Sequence, residues 1–371
     1  MADMLPSLST LIREWLHRPL QPQAGNQSVS VHGFNSVCSV GTTRGSVRDG
    51  NEDRVLLAHW SDADSNRTFA ALLLCDGMGG LENGGECAEL VIASTVSALV
   101  DQHINNQVLS LPKAILQANR RCFDDYHGRS GATISAVIFQ KNAAWQIANI
   151  GDSRIYAKTD ENSVRQLTID DTISGQLSAL GKTADPSHEP GLLQYVGIGD
   201  QLEIKPVVPD RLFEIESLIL TSDGAHRLDS KSFNEILRYA PTNRALAQRL
   251  LSISEWLGGV DNASIASVSP RHLKDLLTYG TSDSELRLWD PYGESTMAFL
   301  GSFKPKPVPV PRAGRPQNSR KFRKVEKQVV PPRDENSPQA PSSNQRANFE
   351  IGPIVQDELA GIAPTMDANK K

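Results

Sequence analysis

Two Asp-Gly pairs in this sequence come directly after apolar runs. In "LLLCDGMGG" the carboxylate is Asp76, and in "LILTSDGAH" it is Asp223. Asp-Gly is also a common turn dipeptide, so a turn would explain either pair taken alone. The repetition after two strand-like segments favours another interpretation, in which two strands deliver carboxylates to one place.

Further acidic residues lie beside other strand-like segments. "SVRDGNEDR" places Glu52 and Asp53 in a polar turn before a strand, and "GGVDNASIASV" places Asp261 before another. No His or Cys accompanies them at ligand spacing, and an all-oxygen set suits Mg²⁺ or Mn²⁺ rather than Zn²⁺. The bare backbone of Gly77 would let its carbonyl approach such an ion closely.

These carboxylates predict a two-metal hydrolytic site. Without a cation, converging carboxylates repel each other and raise each other's pKa. Two divalent ions would relieve that repulsion, lower the pKa of a bound water and clamp a phosphoryl oxygen. Arg48 adds a guanidinium that can hold a phosphate in a bidentate fork. The glycine-rich stretch after Asp76 matches neither a P-loop nor the GxGxxG pattern.

Strand and helix patterns alternate in clusters. Strands are predicted at 29–40, 53–59, 69–75, 133–139, 144–150, 154–159 and 218–221, and helices at 85–105, 112–126, 230–239 and 243–257. Helix pairs between strand clusters favour an antiparallel α+β architecture with helices outside sheets.

Composition divides the 371 residues into four segments. These are an N-terminal amphipathic segment and linker (1–28), the main domain (29–268), a C-terminal extension expected to pack on that domain (269–302), and a basic, Pro-rich tail (303–371). The tail has too little apolar surface to offset chain entropy, so it is predicted to be disordered.

Charge is also divided between these segments. Ten Lys or Arg and one Glu lie between Phe303 and Arg333, a charge of +9, which leaves −14 of the total of −5 for the rest. An acidic body argues against nucleic acid as the main substrate and suits a protein that binds cations, and the basic tail suits an acidic partner.

The cysteines and the N-terminus bear on the cellular location of the protein. The four cysteines have no paired spacing, which predicts buried free thiols and a reducing environment. Charged residues interrupt the N-terminus too often for a signal peptide, and no segment is long enough to span a bilayer. A cytoplasmic protein is therefore expected.

The motifs occur in a familiar order. "RDGNED", "CDGMGG" with "GE", "SGAT", "IGDSRIY", "LTIDD", "LTSDG" and "GGVDN" follow one another from about Ser36 to Val268. This order resembles the metal-dependent protein phosphatases of the type 2C family, and its bacterial branch in particular. Such enzymes are hydrolases of signalling pathways that act on phosphoserine and phosphothreonine.

The resemblance implies a fold and a set of residue roles. The fold is a four-layer α-β-β-α sandwich of two antiparallel sheets flanked by helices. Asp76 resembles the ligand that bridges both ions. Glu52 and the Gly77 carbonyl would complete one ion's protein ligands, and Asp223 and Asp261 the other's. Arg48 resembles the phosphate anchor, Asp53 a residue that orients bound waters, and Asn262 a residue that fixes the Asp261 loop. Asp152 and Ser153 of "GDSR" are expected to have a structural role in a hairpin.

The chain departs from the family at some positions. Animal members have a His directly after the first Asp-Gly, thought to act as general acid, where this chain has Met78. The general acid is therefore unassigned: His226 is a candidate, with an ordinary loop histidine as the alternative. Gly128 replaces the Asp that commonly binds a third metal, so two ions are expected, with Asp124 or Asp125 left open as a substitute.

Different functions remain open at this stage. The first is an active phosphatase whose substrate is a phosphorylated protein, such as a Ser/Thr kinase or its target. The second is a catalytically weak regulatory module that binds a kinase or phosphoprotein. A third keeps the chemistry and changes the substrate to a small phosphate ester. Intact metal-ligand positions favour activity, and the long basic tail favours a macromolecular partner.

Overall fold

The computed structural model describes residues 7–24, 30–34, 37–62, 68–78, 83–141, 143–159, 163–183, 191–205, 207, 215–278 and 283–299. All of them belong to one compact unit, Met1–Val308. The tail predicted at 303–371 and the end of the N-terminal linker lie outside the described residues.

Strands and helices alternate in clusters along the chain. The strands are β1 (Ser30–Phe34), β2 (Cys38–Thr43), β3 (Arg54–Ser61), β4 (Phe69–Cys75), β5 (Ile134–Gln140), β6 (Gln146–Ile150), β7 (Arg154–Thr159), β8 (Val164–Gln166), β9 (Ile215–Thr221), β10 (Ala263–Val268), β11 (Ser284–Asp290) and β12 (Gly293–Phe299). The helices are α1 (Leu8–Leu20), α2 (Gly84–Ile104), α3 (Leu111–Tyr126), α4 (Ile173–Ala179), α5 (Asp223–His226), α6 (Ser230–Tyr239), α7 (Asn243–Trp256) and α8 (Pro270–Leu276), with a 3₁₀ turn at Gln21–Ala24.

These strands form two antiparallel sheets. The first has the order β1-β2-β10-β9-β7-β8, and the second has the order β12-β11-β3-β4-β5-β6. The apolar side chains between the sheets form one core, which includes Leu57, Leu72, Leu220 and Trp289. Every residue of β3 and β4 is buried, which explains why β4 is a continuous apolar run.

Helices cover the outer face of each sheet. α1, α2 and α3 pack on the second sheet in a core that includes Leu16, Val96 and Ile115. α6 and α7 pack on the first sheet around Phe233 and Leu250. The four layers confirm the predicted α-β-β-α sandwich.

One predicted strand is two strands in the structure. The sequence predicts a single strand at 29–40, but Ser30–Phe34 pairs antiparallel with β2, so the chain reverses between them. The difference arises because apolar and polar residues alternate on both sides of the reversal, so the pattern alone does not separate the two strands.

The prediction of four free thiols is wrong for two of them. Cys87 on α2 and Cys122 on α3 form a disulfide, whereas Cys38 and Cys75 are free and buried. Their 35-residue separation gives no sequence signal, because α2 and α3 meet only after the helices pack against each other.

Both ends of the described chain pack against the sandwich. Ile12, Leu16 and Leu20 of α1 are fully buried in the core under α2. At the other end β11 pairs with β3 and β12 pairs with β11, which extends the second sheet by a hairpin. None of the described helices has both the length and the apolar composition of a membrane span.

Candidate active site

The strand register brings the acidic residues to one edge of the sandwich. In the second sheet β3 begins opposite the end of β4, with Arg54 facing Cys75, so Glu52 and Asp76 extend from the same edge. In the first sheet β9 ends where β10 begins, with Thr221 facing Ile265, so Asp223 and Asp261 share an edge in the same way.

Asp76 is held through its backbone by β5 and the turn after β6. Its N–H donates to Thr133 Oγ1 at 3.0 Å, and its carbonyl accepts from the Thr133 N–H at 2.8 Å. Thr133 Oγ1 in turn contacts Ser153 Oγ at 2.7 Å. Ser153 therefore has the structural role that "GDSR" predicted for it in this part of the chain.

The glycines after both Asp residues are required by close packing. A Cβ on Gly77 would lie 2.4 Å from the Gly84 carbonyl oxygen, and one on Gly224 would lie 2.0 Å from that of Asn262. A Cβ on Gly84 would meet Glu52 Oε1 at 2.8 Å. These glycines let the loops that carry the carboxylates approach each other, a reason beyond access of a metal to the Gly77 carbonyl.

Asn262 ties the two sheets' loops together. Its Oδ1 accepts from the Glu52 N–H at 2.8 Å, and its Nδ2 donates to the carbonyls of Arg44 and Gly50 at 2.8 and 2.9 Å. Its own N–H donates to Asp261 Oδ1 at 2.9 Å. The side chain thus fixes the Glu52 loop relative to the Asp261 loop.

Asp53 is fully buried and Asp76 is partly buried, and both lie among other negatively charged side chains. Burial raises the pKa of Asp76 well above its ordinary value, and Asp53, Asp223, Asp152 and Asp261 raise it further. Burial also raises the pKa of Asp53 to about 7, although hydrogen bonds from Ser222 and Ser264 oppose the shift. Asp53 Oδ1 has no hydrogen-bond partner within the described residues.

The surrounding carboxylates also have raised pKa values, for the same reasons of burial and repulsion between like charges. The pKa of Asp223 is raised by burial and then by Asp261, and that of Asp152 is raised to about 6 by burial and then by Asp223. Glu52 also has a raised pKa, mainly from burial, which Arg48 and the Gly85 N–H partly offset. A cation among these groups would remove the conflict.

Arg48 provides positive charge at the rim. Its Nε and Nη2 contact the two oxygens of Asp261 at 2.9 Å each, and this contact raises the pKa of Arg48. Arg227 approaches the same carboxylate at 3.7 Å. The Arg48 fork, which is predicted to bind phosphate, thus pairs with a predicted metal ligand.

The residues at this edge fit divalent ions in their chemistry. All the donors are oxygens, several are buried with like charge around them, and Asp53 Oδ1 is unsatisfied. Within the described ranges, no three His, Cys, Asp or Glu side chains already surround one point as ligands.

Asp152 is the residue whose place in the site the sequence analysis missed. The "GDSR" turn joins β6 of the second sheet to β7 of the first. It therefore crosses between the sheets at the edge where the other carboxylates lie, and the charge on Asp152 raises the pKa of Asp76. The available signal was of the same kind as for Asp76: an Asp close to the end of a strand-like apolar segment.

The candidates for a general acid and a third ion have other surroundings. The His226 Nδ1 contacts Thr221 Oγ1 at 2.9 Å, its ring packs edge-on against Phe233, and burial lowers its pKa well below the ordinary value. On α3, Asp124 is exposed and Asp125 pairs with Arg121 at 3.0 Å.

The fold is that of bacterial serine/threonine phosphatases. The PPM Ser-Thr phosphatase MsPP from Mycobacterium smegmatis, solved with cacodylate, superposes with a TM-score of 0.52 at 23% identity and covers 63% of this chain and 99% of its own. Stp1 from Staphylococcus aureus gives a TM-score of 0.52 at 20% identity, with coverages of 64% and 96%.

The sequence profile of the family described as Protein phosphatase 2C matches residues 40–258, more than half of the chain. The chain belongs to this family, which confirms the predicted enzyme class, a phosphoprotein phosphatase. The protein phosphatase PhpP of Streptococcus pneumoniae is 29% identical over 242 residues, 62% of this chain and 95% of PhpP. A protein phosphatase 2C-type protein of Streptococcus pyogenes is 26% identical over 249 residues, with coverages of 62% and 96%.

Proposed function

We propose that this chain hydrolyses phosphoserine and phosphothreonine in proteins with two divalent ions, Mn²⁺ or Mg²⁺. The observation that carries the proposal is the group of carboxylates that both sheets bring to one edge, partly buried except for the fully buried Asp53, with Asp76 among them and Arg48 at the rim. Nothing around Asp124 or Asp125 favours a third ion.

The proposed roles follow from position. Glu52, Asp76 and the Gly77 carbonyl would hold one ion, and Asp76, Asp223 and Asp261 the other. When bound, such ions neutralise phosphoryl charge and lower the pKa of a water. Asp53 and Asp152 would accept hydrogen bonds from waters at the site, and Asn262 keeps the Glu52 and Asp261 loops in register.

Arg48 would bind the phosphate of the substrate. Its exposed fork can exchange the Asp261 carboxylate for a phosphate once a cation has taken over Asp261, because both acceptors suit a bidentate guanidinium. A positive charge at the rim also favours the approach of an anionic substrate. Neither Met78 nor His226 supplies a proton to the leaving serine or threonine, so that proton would come from solvent at the site.

The substrate is proposed to be a phosphorylated protein, such as a Ser/Thr kinase or its target. The relatives in both streptococci are named as protein phosphatases, and the basic tail at 303–371 suits an acidic partner. A cytoplasmic location is also proposed. The sequence argument for that location was four free thiols. Because Cys87 and Cys122 form a disulfide, only Cys38 and Cys75 now support it.

Asp76→Asn tests the proposed function. Removing this charge should lower Mn²⁺-dependent hydrolysis of a phosphothreonine peptide by several powers of ten, because both ions lose a ligand. The same change should raise the melting temperature of the metal-free protein, because it relieves repulsion among buried carboxylates. Asp124→Asn, on the exposed face of α3, is the matched control and should change neither quantity.

Two other outcomes would redirect the assignment. Near-wild-type turnover by Asp76→Asn, or full activity in excess chelator, would contradict the two-metal site. Tight binding of the phosphopeptide by the wild-type chain without turnover in Mn²⁺ would instead favour the regulatory module. Rapid turnover of small phosphate esters alone would favour the third function.

A further inference from the structure

A buried cation lies directly beneath the loop that carries Glu52. The Arg54 side chain is 3% exposed, and its Nη1 donates to the carbonyls of Asn51 and Asp53 at 2.8 and 2.9 Å. Its Nη2 lies 3.3 Å from the position of a Cβ on Gly85, whose N–H donates to the Glu52 carboxylate. Arg54 therefore sets the backbone on both sides of Glu52.

A chain of contacts connects Arg54 to the N-terminal helix. Arg54 Nη2 lies 3.7 Å from Glu89 Oε2 on α2, and the other Glu89 oxygen forms a short contact with His17 Nδ1 on α1. Glu89 is 6% exposed, and its charge partly offsets the cost of burying Arg54. The His17 ring fixes that carboxylate from the outer side.

A second connection runs through the 3₁₀ turn after α1. β4 pairs with β3 from Arg54 onward, but β11 pairs with β3 only as far as Leu57. Among the described strands, the side of β3 that faces away from β4 is therefore unpaired before Leu57. Gln23, which is fully buried, takes that place: its Oε1 accepts from the Val55 N–H at 3.0 Å and its Nε2 donates to the Val55 carbonyl at 3.2 Å. The Gln23 side-chain amide therefore pairs with Val55 as the backbone of a neighbouring strand would, and Val55 lies three positions after Glu52.

The segment that makes both connections precedes the family match, which begins at residue 40. Ile12, Leu16 and Leu20 are fully buried against α2, so the segment has a fixed place on the sandwich. Its polar contacts, in contrast, are directed to the residues that flank the Glu52 loop.

We propose that the N-terminal segment 8–24 positions the Glu52 loop for metal binding, with Gln23 and His17 as the positioning residues. Gln23 holds the backbone at Val55, and His17 acts through Glu89 and Arg54 on the carbonyls of Asn51 and Asp53. The segment thereby sets the affinity of the site for its ions. This inference rests on the proposed metal-binding function of that site.

The test compares Mn²⁺ binding by three full-length variants, measured by isothermal titration calorimetry without substrate. Gln23→Leu keeps the buried volume and removes the pairing with Val55, and His17→Ala removes the outer contact to Glu89. Each should raise the Mn²⁺ dissociation constant about fivefold or more, the effect of losing a buried hydrogen bond or two. Arg18→Ala, an exposed neighbour on α1, is the control and should bind like the wild type.

Two further measurements separate positioning from general destabilisation. In Gln23→Leu, hydrogen exchange should become faster at Val55 and in the 51–55 loop, while exchange in β9 and β10 stays as in the wild type. At saturating Mn²⁺ the KM for an aryl phosphate should change less than twofold in both variants, because Arg48 is untouched. Rescue by excess Mn²⁺ is thus expected.

Wild-type affinities in Gln23→Leu and His17→Ala, with unchanged exchange at Val55, would overturn the inference. Faster exchange throughout the sandwich would also overturn it, because the segment would then only stabilise the fold. If the wild-type chain itself took up no Mn²⁺, the proposed function of the site would fail instead, so the two failures are distinguishable.

Discussion

Arg48 lies at the rim of the acidic edge, with both fork nitrogens on Asp261 and 41% of its side chain exposed. The residue therefore combines two properties that phosphate binding requires: a rigid fork and access from solvent. Asp261 is a weak competitor for that fork once a cation binds it. The same residue can hence neutralise the metal-free site and receive a substrate.

Arg48→Ala should raise the KM for phosphopeptides and aryl phosphates, with a smaller effect on kcat, because the fork contacts phosphate in ground and transition states alike. Mn²⁺ affinity, measured by calorimetry, should stay the same or increase, since a cation that pairs with Asp261 is removed. Arg48→Lys keeps the charge without the fork and should give an intermediate KM. Loss of metal uptake with an unchanged KM would show that Arg48 has been misassigned.

His226→Ala should leave aryl phosphate hydrolysis nearly unchanged and lower phosphopeptide hydrolysis only slightly. The ring is neutral in the folded protein because burial lowers its pKa, and it bonds to Thr221 and packs on Phe233. Its removal should instead lower the free energy of unfolding by about 1–3 kcal/mol, through lost packing and an unpaired Thr221 hydroxyl. A large loss confined to phosphopeptides would identify His226 as the general acid.

At the scale of single elements, the strands beside the acidic residues have two functions. Each ends or begins at the edge where those residues lie, and each also contributes buried side chains to the core. β3 illustrates both functions. Its first residue follows the Glu52 loop, and farther along His59 points between the sheets, 6.4 Å from the Trp289 ring centroid. Within the described residues neither His59 ring nitrogen has a hydrogen-bond partner. Burial, followed by Arg287, lowers the pKa of His59 to about 4.

His59 should make the protein less stable as the pH falls. Between the ordinary histidine pKa of about 6.5 and the folded value of about 4, the unfolded state binds the proton and the folded state does not. The loss should therefore start near pH 6.5, be complete near pH 4, and reach up to about 3 kcal/mol. In His59→Phe, chemical denaturation at a series of pH values should give a flatter curve over this range.

The carboxylates of the site also make stability depend on pH, but their raised pKa values favour the folded state as the pH falls. Comparing variants with the wild type separates the contribution of His59 from theirs. His127→Asn replaces an exposed histidine at a positive φ that Asn also adopts, and its curve should run parallel to the wild type. A His59→Phe curve parallel to the wild type would contradict the assignment of the pH dependence to His59.

At the scale of the whole molecule, the described chain is larger than the family match on both sides. α1 covers α2 before residue 40, and the β11–β12 hairpin extends the second sheet after residue 258. Leu286, Leu288 and Trp289 of β11 are fully buried and complete two of the three cores. The hairpin is therefore part of the folded body, and its removal would expose the edge of β3.

Two truncations should separate the hairpin from the tail. A chain that ends at Leu300 should unfold like the full chain and hydrolyse aryl phosphate at the same rate. A chain that ends at Thr278 should aggregate or lose several kcal/mol of stability, because burial of a large apolar side chain contributes about 1.5–3 kcal/mol and three are lost. Thermal unfolding and aryl phosphate turnover check both. Loss of folding in the Leu300 chain would assign a structural role to the tail.

The sequence by itself determined the family and the sandwich, and it predicted which acidic residues would lie at one edge. Motif order and the position of each Asp beside a strand are local properties, and strand periodicity with turn residues marks where those positions lie. For that reason Asp76, Asp223 and Asp261 could be predicted to share a place. Asp152 also lies beside a strand, but only the crossing of the chain from β6 to β7 shows that it belongs with the other acidic residues.

The tertiary structure alone decided the remaining features, because they depend on contacts between segments far apart in the chain. The Cys87–Cys122 disulfide requires α2 and α3 to be packed together, and the pairing of Arg48 with Asp261 requires β2 and β10 to be neighbours in one sheet. The place of Gln23 beside Val55 depends on where β11 stops pairing with β3. The periodicity of the sequence reports only local structure, so it does not specify which distant residues come into contact. The type of a side chain determines which groups it can bind, and the fold determines which of those groups lie within its reach.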